Sequence, residues 1–340
     1  MNFSSNNKSS SFSNTSKSLP NLPASTLIPW AAVYFTQCFA GAACNLLLIF
    51  LIFTSGKLRA GCSLLIGHCL IPQFILCSVG LPLNGVLLYG HQVHRWQLNT
   101  HVSCNVTLWI AMTCRYANNC IEAYIGANRV VALFKPHQYR AFARTRVEHG
   151  TVTILWIISM FLAGLGCFDL GIRYFVLPLG SCGLDQKDMV GAVTFALGYY
   201  VPLVFAAVGY CLIYIKMAVN RRNRTKTFPV VHVSQFRDSD TAGTVLHNGR
   251  NTAEKRRVSK LKMVFVAFFW NVLCYLIWPV VVMFAPHLLQ IPLASLVFGN
   301  ITPLGYTITP ILFLGMSGDY QKEWRRLFHA AQYKLLFKKL

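Results

Sequence analysis

The segment CNVTLWIAMTCRYANNCIEAYIGANRVVALFKP, residues 104–136, determines how the rest of the chain is interpreted. It is largely apolar and has no proline before Pro136, and Cys104 and Arg129 lie 25 positions apart near its two ends. A helix rises about 1.5 Å per residue, so a helix of this length crosses a hydrocarbon core about 30 Å thick. The segment therefore predicts a transmembrane helix with Cys104 near one membrane face and Arg129 near the other.

Six further apolar runs of spanning length lie on either side of this segment. The 340-residue chain is 54% hydrophobic and 12% charged, whereas soluble proteins average about 45–50% apolar and about 25% charged residues. We therefore expect an all-α membrane protein, a seven-transmembrane helix bundle whose membrane domain covers residues 28–315. The predicted spans are 28–53, 62–89, 103–133, 148–168, 189–217, 260–286 and 290–315.

The net charge of +21 is compatible with nucleic-acid binding or with membrane topology, and the positions of the 31 Lys and Arg residues separate these explanations. Basic loops of membrane proteins stay in the cytoplasm. Of the 31 basic residues, 25 fall on the side of the long loop 220–259 and the C-terminus. The other six are Lys8, Lys17, Arg95, Arg115, Arg173 and Lys187. We therefore expect an extracellular N-terminus, contact with membrane lipid and no nucleic-acid partner.

Residues 1–27 are rich in Ser and Asn and contain few large apolar side chains, which predicts a disordered extracellular segment. The segment lacks the basic stretch and short apolar run of a cleavable signal, so we expect the run from Ile28 to start membrane insertion uncleaved. It contains three glycosylation sequons, at Asn2, Asn7 and Asn14. Chance matches in a tract of this composition explain the sequons about as well as glycosylation does.

Around the third span the chain resembles the rhodopsin-like family of G-protein-coupled receptors. In that family an outer cysteine precedes the arginine of an Asp-Arg-Tyr motif by the spacing found here between Cys104 and Arg129. The resemblance covers residues 28–328, and single positions support it elsewhere in the chain. In order they are Asn45, Trp96, Trp156, Pro202, Tyr210, Pro279, Pro310 and an amphipathic segment, 319–328, similar to the family's eighth helix. The Asn-Arg start of the motif is similar to that of the melatonin-type, moody and trapped-in-endoderm receptors.

The resemblance implies a receptor that passes the signal of an extracellular ligand across the plasma membrane to a heterotrimeric G protein by rearranging its helices. It also implies that residues 316–340 form a cytoplasmic eighth helix and short tail, and that a disulfide joins Cys104 to Cys182. Arg129 would bind carbonyl groups of the G protein, and Tyr210 would hydrogen-bond Arg129, once the sixth helix has moved outward. The residues expected to form this switch are Asn128, Arg129, Tyr210, Pro310 and Phe313.

Several positions depart from the family pattern, among them Phe313 in place of the helix-seven Tyr, and Trp278, which lies one residue nearer to Pro279 than in the family. Gln73 replaces the helix-two Asp, Asn128 replaces the acid of the arginine motif, and Thr309 replaces the Asn of the helix-seven Asn-Pro-x-x-Tyr motif. A neutral Gln73 weakens or removes the family's intramembrane sodium site, so we expect no metal. Without an acid at position 128, a charge that would hold Arg129 in the closed state is missing, and basal signalling is expected to rise. The residues expected to form a polar core are Asn45 and Gln73 together with Asn300, Thr302 or Thr309.

Two ionisable residues, Arg115 and Glu122, lie two helical turns apart on one face of the third span. Arg115 stands at the depth of the family's ligand pocket, where a guanidinium can bind an anionic ligand group. An internal ion pair between Arg115 and Glu122 explains the arrangement equally well. The resemblance also places Ala111 and Trp278 in this pocket. Because amine receptors carry an Asp at the position of Ala111, a monoamine ligand is disfavoured.

Several other functions are disfavoured by the sequence. Retinal requires a lysine in the seventh helix, and residues 290–316 contain none, so we expect neither retinal nor another cofactor. No nucleophile and base have a spacing that an enzyme could use. A multi-span transporter would have inverted repeats or broken helices, which we do not find. A receptor-like scaffold without signalling stays open because the motifs are altered.

Overall fold

A computed structural model describes residues 22–59, 62–94, 100–135, 137–139, 144–177, 179–227, 259, 261–277, 280–281, 288 and 291–337. The described residues form seven helical spans, an eighth helix and one short β-hairpin. The seven-helix bundle predicted from the apolar runs is thereby confirmed. The sequons at Asn2, Asn7 and Asn14, and the pocket residue Trp278, lie outside the described residues.

The seven spans follow the predicted apolar runs. The first covers Ala24–Thr54, the third Thr100–Phe134, the fourth Thr145–Cys167 and the seventh Pro292–Met316, and the longest described stretch of the sixth is Leu261–Ile277. The second consists of Cys62–Ile75, a π-helical turn Leu76–Gly80, and Leu81–His94. The fifth consists of Met189–Phe195, a π-helical turn Ala196–Tyr200, and Val201–Thr227. Because the first helix begins at Ala24, residues 24–27 belong to the bundle and not to the N-terminal segment.

Five of the described helices are long and apolar enough to cross a membrane. The third span is long enough but carries more polar side chains, among them Arg115, Asn118 and Glu122. It packs at the centre of the bundle, in contact with the second, fourth and fifth spans and with both strands of the hairpin. Its polar side chains are therefore covered by protein, which avoids the cost of exposing them to lipid.

An antiparallel hairpin of β1 (Ile172–Val176) and β2 (Cys182–Gln186) connects the fourth and fifth spans. The strands pair from Ile172 opposite Gln186 to Val176 opposite Cys182. β-Branched and aromatic residues in β1 favour the extended conformation. Gly180 between the strands has a φ of 89°, a left-handed conformation that favours glycine. The hairpin is an addition to the helical fold expected from the sequence.

A disulfide between Cys104 and Cys182 fastens β2 to the outer end of the third span, with 5.4 Å between the two Cα atoms. The predicted pairing is confirmed. Tyr174 attaches β1 to the fourth span, because its ring packs on Gly166 and its hydroxyl donates a hydrogen bond to the carbonyl of Ala163 at 2.8 Å. The hairpin is thus fixed to two helices at the outer end of the bundle.

Two helices continue beyond the runs of sequence that indicate them. The fifth span reaches Thr227, past its apolar run 189–217, in agreement with the expectation that a basic helix end beside the membrane continues into the loop 220–259. The eighth helix covers Gly318–Phe337 instead of ending at Phe328. Buried Tyr320 anchors its first turn in the apolar cluster that fills the inner half of the bundle.

Candidate functional site

A chain of hydrogen bonds, named the core network here, crosses the middle of the bundle. Glu122 of the third span is 6% exposed and accepts hydrogen bonds at Oε1 from Nδ2 of Asn118 at 3.0 Å and from Nδ2 of Asn271 at 2.7 Å. Oδ1 of Asn118 accepts from Nε2 of Gln73 at 3.0 Å, and Oδ1 of Asn271 accepts from the Thr309 hydroxyl at 2.6 Å. The core network therefore joins the second, third, sixth and seventh spans.

The core network supplies hydrogen-bond donors to a buried carboxyl group. A buried acid is costly unless it is hydrogen-bonded, and two amide groups donate to Glu122. Asn118 and Glu122 are four positions apart, so they are neighbours on one helix face, and this pair was visible in the sequence. Asn271 lies on another helix, and no sequence spacing relates it to Glu122.

The residues predicted to form a polar core are divided between two places. Gln73 and Thr309 belong to the core network. Asn45 instead donates from Nδ2 to the carbonyls of Gly41 at 2.8 Å and Tyr306 at 3.2 Å, which ties the first span to the seventh. The polar interior is thus centred on the third span, because that span supplies the acid.

Arg115 and Glu122 do not form an ion pair. The core network occupies Oε1 of Glu122, and the Nε atom of Arg115 is buried without a hydrogen-bond partner among the described residues. The guanidinium interacts electrostatically with tyrosines of the first, third, fifth and seventh spans, which are Tyr34, Tyr116, Tyr199 and Tyr306. The positive charge therefore lies among aromatic hydroxyl groups and not against a carboxylate.

Ala111, the second predicted pocket residue, packs against the second span. It is 5% exposed, and a Cβ built on Gly80 would lie 3.7 Å from the Cβ of Ala111. Ala111 thus occupies a close contact between two helices. The structure brings Arg115 together with the four tyrosines, whereas Ala111 serves helix packing.

At the inner end of the third span, an acid that the sequence did not reveal lies near Arg129. Glu148, in the first turn of the fourth span, is fully buried, and its charge interacts with that of Arg129 at a distance longer than an ion pair. Neither of its carboxyl oxygens has a hydrogen-bond partner among the described residues. In the sequence, Glu148 is an isolated acid at the start of an apolar span, and this pattern could have indicated a functional acid. The expectation of raised basal signalling stays a prediction, and Glu148 is a second acid, on a neighbouring helix, whose charge acts on Arg129.

Three tyrosines complete the surroundings of Arg129, namely Tyr139, Tyr210 and Tyr320. Burial raises the pKa of the Tyr320 hydroxyl to about 12. Tyr320 is therefore neutral at physiological pH and meets Arg129 as a dipole. Polar and charged groups of the third, fourth, fifth and eighth helices thus converge on one guanidinium.

Aromatic packing closes the inner end of the bundle around Tyr210. Its ring centroid lies 4.7 Å from that of Phe268 and 6.4 Å from that of Phe265, so the fifth and sixth spans are in direct contact. Phe313 is buried in the same inner cluster, and Pro310 is buried within the seventh span. The predicted switch residues therefore lie inside a closed arrangement of helices.

Comparisons with known proteins agree with this architecture. Residues 44–311 match the family described as 7 transmembrane receptor (rhodopsin family). The chain is 23% identical over 151 residues to the motilin receptor of Homo sapiens, and this alignment covers 44% of the chain but only 36% of that receptor. The fold is similar to that of squid rhodopsin, with a TM-score of 0.72 over 92% of this chain and 87% of the rhodopsin chain. The sequence identity to squid rhodopsin is 14%, so this likeness concerns the fold alone.

Proposed function

The chain belongs to the rhodopsin family of seven-transmembrane receptors, and from this premise we propose that it is a G-protein-coupled receptor of the plasma membrane. An extracellular ligand binds in the outer half of the bundle, and a heterotrimeric G protein binds at the inner end. The N-terminus is extracellular and the basic loop 220–259 is cytoplasmic, in keeping with the distribution of Lys and Arg.

The observation that carries this proposal is the hydrogen bond of 2.7 Å between Asn271 of the sixth span and Glu122 of the third. A receptor needs two helix arrangements of similar free energy, and a ligand favours the one for which it has the higher affinity. Outward movement of the sixth span breaks this bond, so the bond stabilises the closed arrangement. A ligand that alters the packing of the third and sixth spans shifts the equilibrium.

The inner end contains the groups that such a movement would release. In the closed arrangement Phe268 of the sixth span covers Tyr210, and Glu148 lies beside Arg129. When the sixth span moves outward, Tyr210 is uncovered and Arg129 becomes accessible from the cytoplasm. A guanidinium has several donors and suits the carbonyl groups at the end of a G-protein helix.

The eighth helix provides contact with membrane lipid. Trp324 and Leu327 pack on the inner cluster, whereas Lys322, Arg325 and Arg326 are exposed. A helix with one apolar face and one basic face lies along a membrane surface that contains anionic lipid. This contact fixes the height of the seventh span relative to the cytoplasmic face.

The proposed function is tested by G-protein activation in cells that express the full chain, measured for each class of Gα subunit. Because the ligand is unidentified, ligand-independent activity is increased with Glu148→Gln, which removes the charge beside Arg129. We expect activity above that of mock-transfected cells, and we expect Arg129→Ala to abolish it at equal surface expression. Arg146→Ala removes an exposed arginine of the fourth span and serves as the control that keeps the activity.

Two results would contradict the proposal. One is activity equal to that of mock cells for all classes of Gα subunit, although the wild type and the Glu148→Gln variant both reach the cell surface. That result would favour a receptor-like scaffold that does not signal. The other is activity that Arg129→Ala leaves unchanged, which would place the G-protein contact elsewhere.

A further inference from the structure

Arg115 is a charged side chain inside the bundle that has no acidic partner among the described residues. The chain has ten acidic residues, and of the two within the described spans Glu122 is held by the core network and Glu148 lies beside Arg129. The other eight lie in the outer connection (Asp169, Asp185, Asp188), the basic inner loop (Asp238, Asp240, Glu254) and the eighth helix (Asp319, Glu323).

The three acids of the outer connection are engaged close to the hairpin. Asp169 forms an ion pair with Lys187 at 3.4 Å, and Asp188 accepts a hydrogen bond from the backbone N–H of Gly191 at 3.0 Å. Asp185 is directly opposite Arg173 in the register of the two strands. None of the three is therefore a counter-ion for Arg115.

An unpaired guanidinium at this depth is costly, because partial burial removes some of its hydration, including that of the buried Nε atom, and no carboxylate replaces the water. Arg115 is half-buried and lies 11 positions, about 16 Å of helix rise, below Cys104 at the outer end. An anion that enters from outside would supply the missing counter-charge.

The tyrosines around Arg115 differ in their capacity to donate. The hydroxyl of Tyr34 donates to the carbonyl of Leu81 at 2.9 Å, and that of Tyr199 donates to the carbonyl of Tyr275 at 2.7 Å, so both protons are already engaged. The hydroxyl of Tyr116 is buried and has no hydrogen-bond partner among the described residues. The cation Arg115 and the free hydroxyl donor of Tyr116 therefore occupy consecutive positions of the third span.

We propose that Arg115, assisted by the hydroxyl of Tyr116, binds an anionic group of the ligand, a carboxylate or a phosphate carried on an apolar body. This proposal rests on the proposed receptor function, because it assigns the chemical class of the extracellular ligand. A guanidinium binds both kinds of anion through two parallel hydrogen bonds. The tyrosine rings match an aromatic or aliphatic body, whereas a cationic ligand would be repelled.

The test is thermal unfolding of the purified full chain in lipid nanodiscs, titrated with small probes. The anionic probes are 3-phenylpropionate and phenyl phosphate, which distinguish a carboxylate from a phosphate. The matched neutral and cationic probes are 3-phenylpropanol and phenethylamine, and inorganic phosphate tests for a bare ion. We expect at least one anionic organic probe to raise the unfolding temperature saturably, and the neutral and cationic probes to have no effect.

Three variants test which side chains bind the anionic probe. Arg115→Gln should weaken the anionic probe roughly 10- to 100-fold, because it removes a charge-assisted pair of hydrogen bonds. Without probe, the same variant should be at least as stable as the wild type, since the charge it removes has no partner. Tyr116→Phe should cause a smaller loss of affinity, and Arg173→Gln on the outer hairpin should cause none.

Each other outcome counts against the proposal. These are a wild type that responds to no anionic organic probe, a response that Arg115→Gln keeps, and an equal response to neutral probes or to inorganic phosphate alone. An Arg115→Gln variant that unfolds at lower temperature without probe would show that the arginine is a structural partner. The unfolding assay contains no G protein, so it tests the anion site alone. If the chain binds the anionic probe but fails to activate any G protein in the cell assay, the proposed function is contradicted and the anion site is not.

Discussion

Glu148 is the acid whose charge restrains Arg129, and the sequence alone did not indicate it. Position 128, next to Arg129 in the third span, carries a neutral Asn where the family has an acid. Glu148 of the fourth span is fully buried near this end of the third span, and its charge acts on Arg129 without an ion pair. A carboxylate does not have to precede the arginine in the chain to restrain it. It has to lie close to the guanidinium in a place from which water is excluded.

Neutralising this acid should raise basal signalling. With Glu148→Gln the side chain keeps its shape and loses its charge, so Arg129 is released more easily from the closed arrangement. A coupling of about 1–3 kcal/mol corresponds to roughly 5- to 150-fold in the equilibrium between two states. Ligand-independent G-protein activation, divided by surface expression, should therefore increase several-fold, and Arg129→Ala in the same chain should remove the increase.

The control for this prediction is Glu323→Gln in the eighth helix. Glu323 lies on the eighth helix, near the same end of the bundle as Arg129, and pairs with Arg326 at 3.6 Å, but Arg326 is largely exposed, and such surface pairs contribute little. Basal signalling should therefore stay at the wild-type value. A Glu148→Gln variant that signals no more than the Glu323→Gln variant would show that Glu148 does not restrain Arg129.

At the residue scale the sequence predicts contacts within a helix better than contacts between helices. The positions of Cys104 and Arg129 follow from a spacing along one helix, and the disulfide to Cys182 follows from a family resemblance. Glu148 beside Arg129, and Asn271 beside Glu122, depend on how each helix is rotated about its axis. No periodicity within a single helix determines that rotation, so these two partners could not be predicted.

At the scale of elements, the core network is the main polar connection between the third and sixth spans. The hydroxyl of Thr309 and the carboxyl of Glu122 both bond to Asn271, so this one amide links three helices. Its position in the middle of the sixth span makes it sensitive to any movement of that helix. The sequence indicated a polar core around Gln73 and Thr309 but did not reveal its centre.

Removing the amide should destabilise the bundle. Asn271→Ala leaves Glu122 with the donor Asn118 alone and Thr309 with the carbonyl of Gly305 alone, so two buried hydrogen bonds are lost at about 0.5–1.5 kcal/mol each. The unfolding temperature of the purified chain should fall, and Leu273→Ala on the exposed face of the sixth span should lower it less. In the double variant Glu122→Gln with Asn271→Ala, the loss should be smaller than the sum of the two single losses. Additive losses would contradict a direct interaction between the two residues.

The outer hairpin depends on close contact between a glycine and a tyrosine. A Cβ on Gly166 of the fourth span would overlap the ring of Tyr174, whereas a Cβ on Gly164 would have room. Gly166→Ala should therefore displace β1 and cost about 1–3 kcal/mol as overpacking, with lower surface expression. Gly164→Ala is the matched control and should behave as the wild type. Equal expression of the two variants would mean that Tyr174 can move aside without loss.

At the scale of the whole molecule, the third span connects the two proposed binding sites. Arg115, Glu122 and Arg129 follow one another at intervals of seven positions, about 10 Å each along a helix. The first lies among the outer tyrosines, the second in the core network and the third at the inner end. The bundle was predictable as a whole because the seven apolar runs indicate the spans and the distribution of basic residues indicates their orientation, and both patterns extend along the entire chain. The hairpin was not, because two short strands leave a weak pattern.

The last prediction concerns the orientation of the whole chain. If 25 of the 31 basic residues hold their side of the bundle in the cytoplasm, the N-terminal segment faces outward and the loop 220–259 faces inward. A tag at the N-terminus should then be labelled on intact cells, and a tag within the loop only after permeabilisation.

Glycosidase treatment should lower the apparent mass, and replacing Asn2, Asn7 and Asn14 with Gln should remove that shift. Asn223→Gln is the matched control, since Asn223 belongs to a sequon in the inner loop and should carry no sugar. Labelling of the loop on intact cells, or a sugar on Asn223, would reverse the orientation and with it the assignment of Arg115 to the outer site and Arg129 to the inner one.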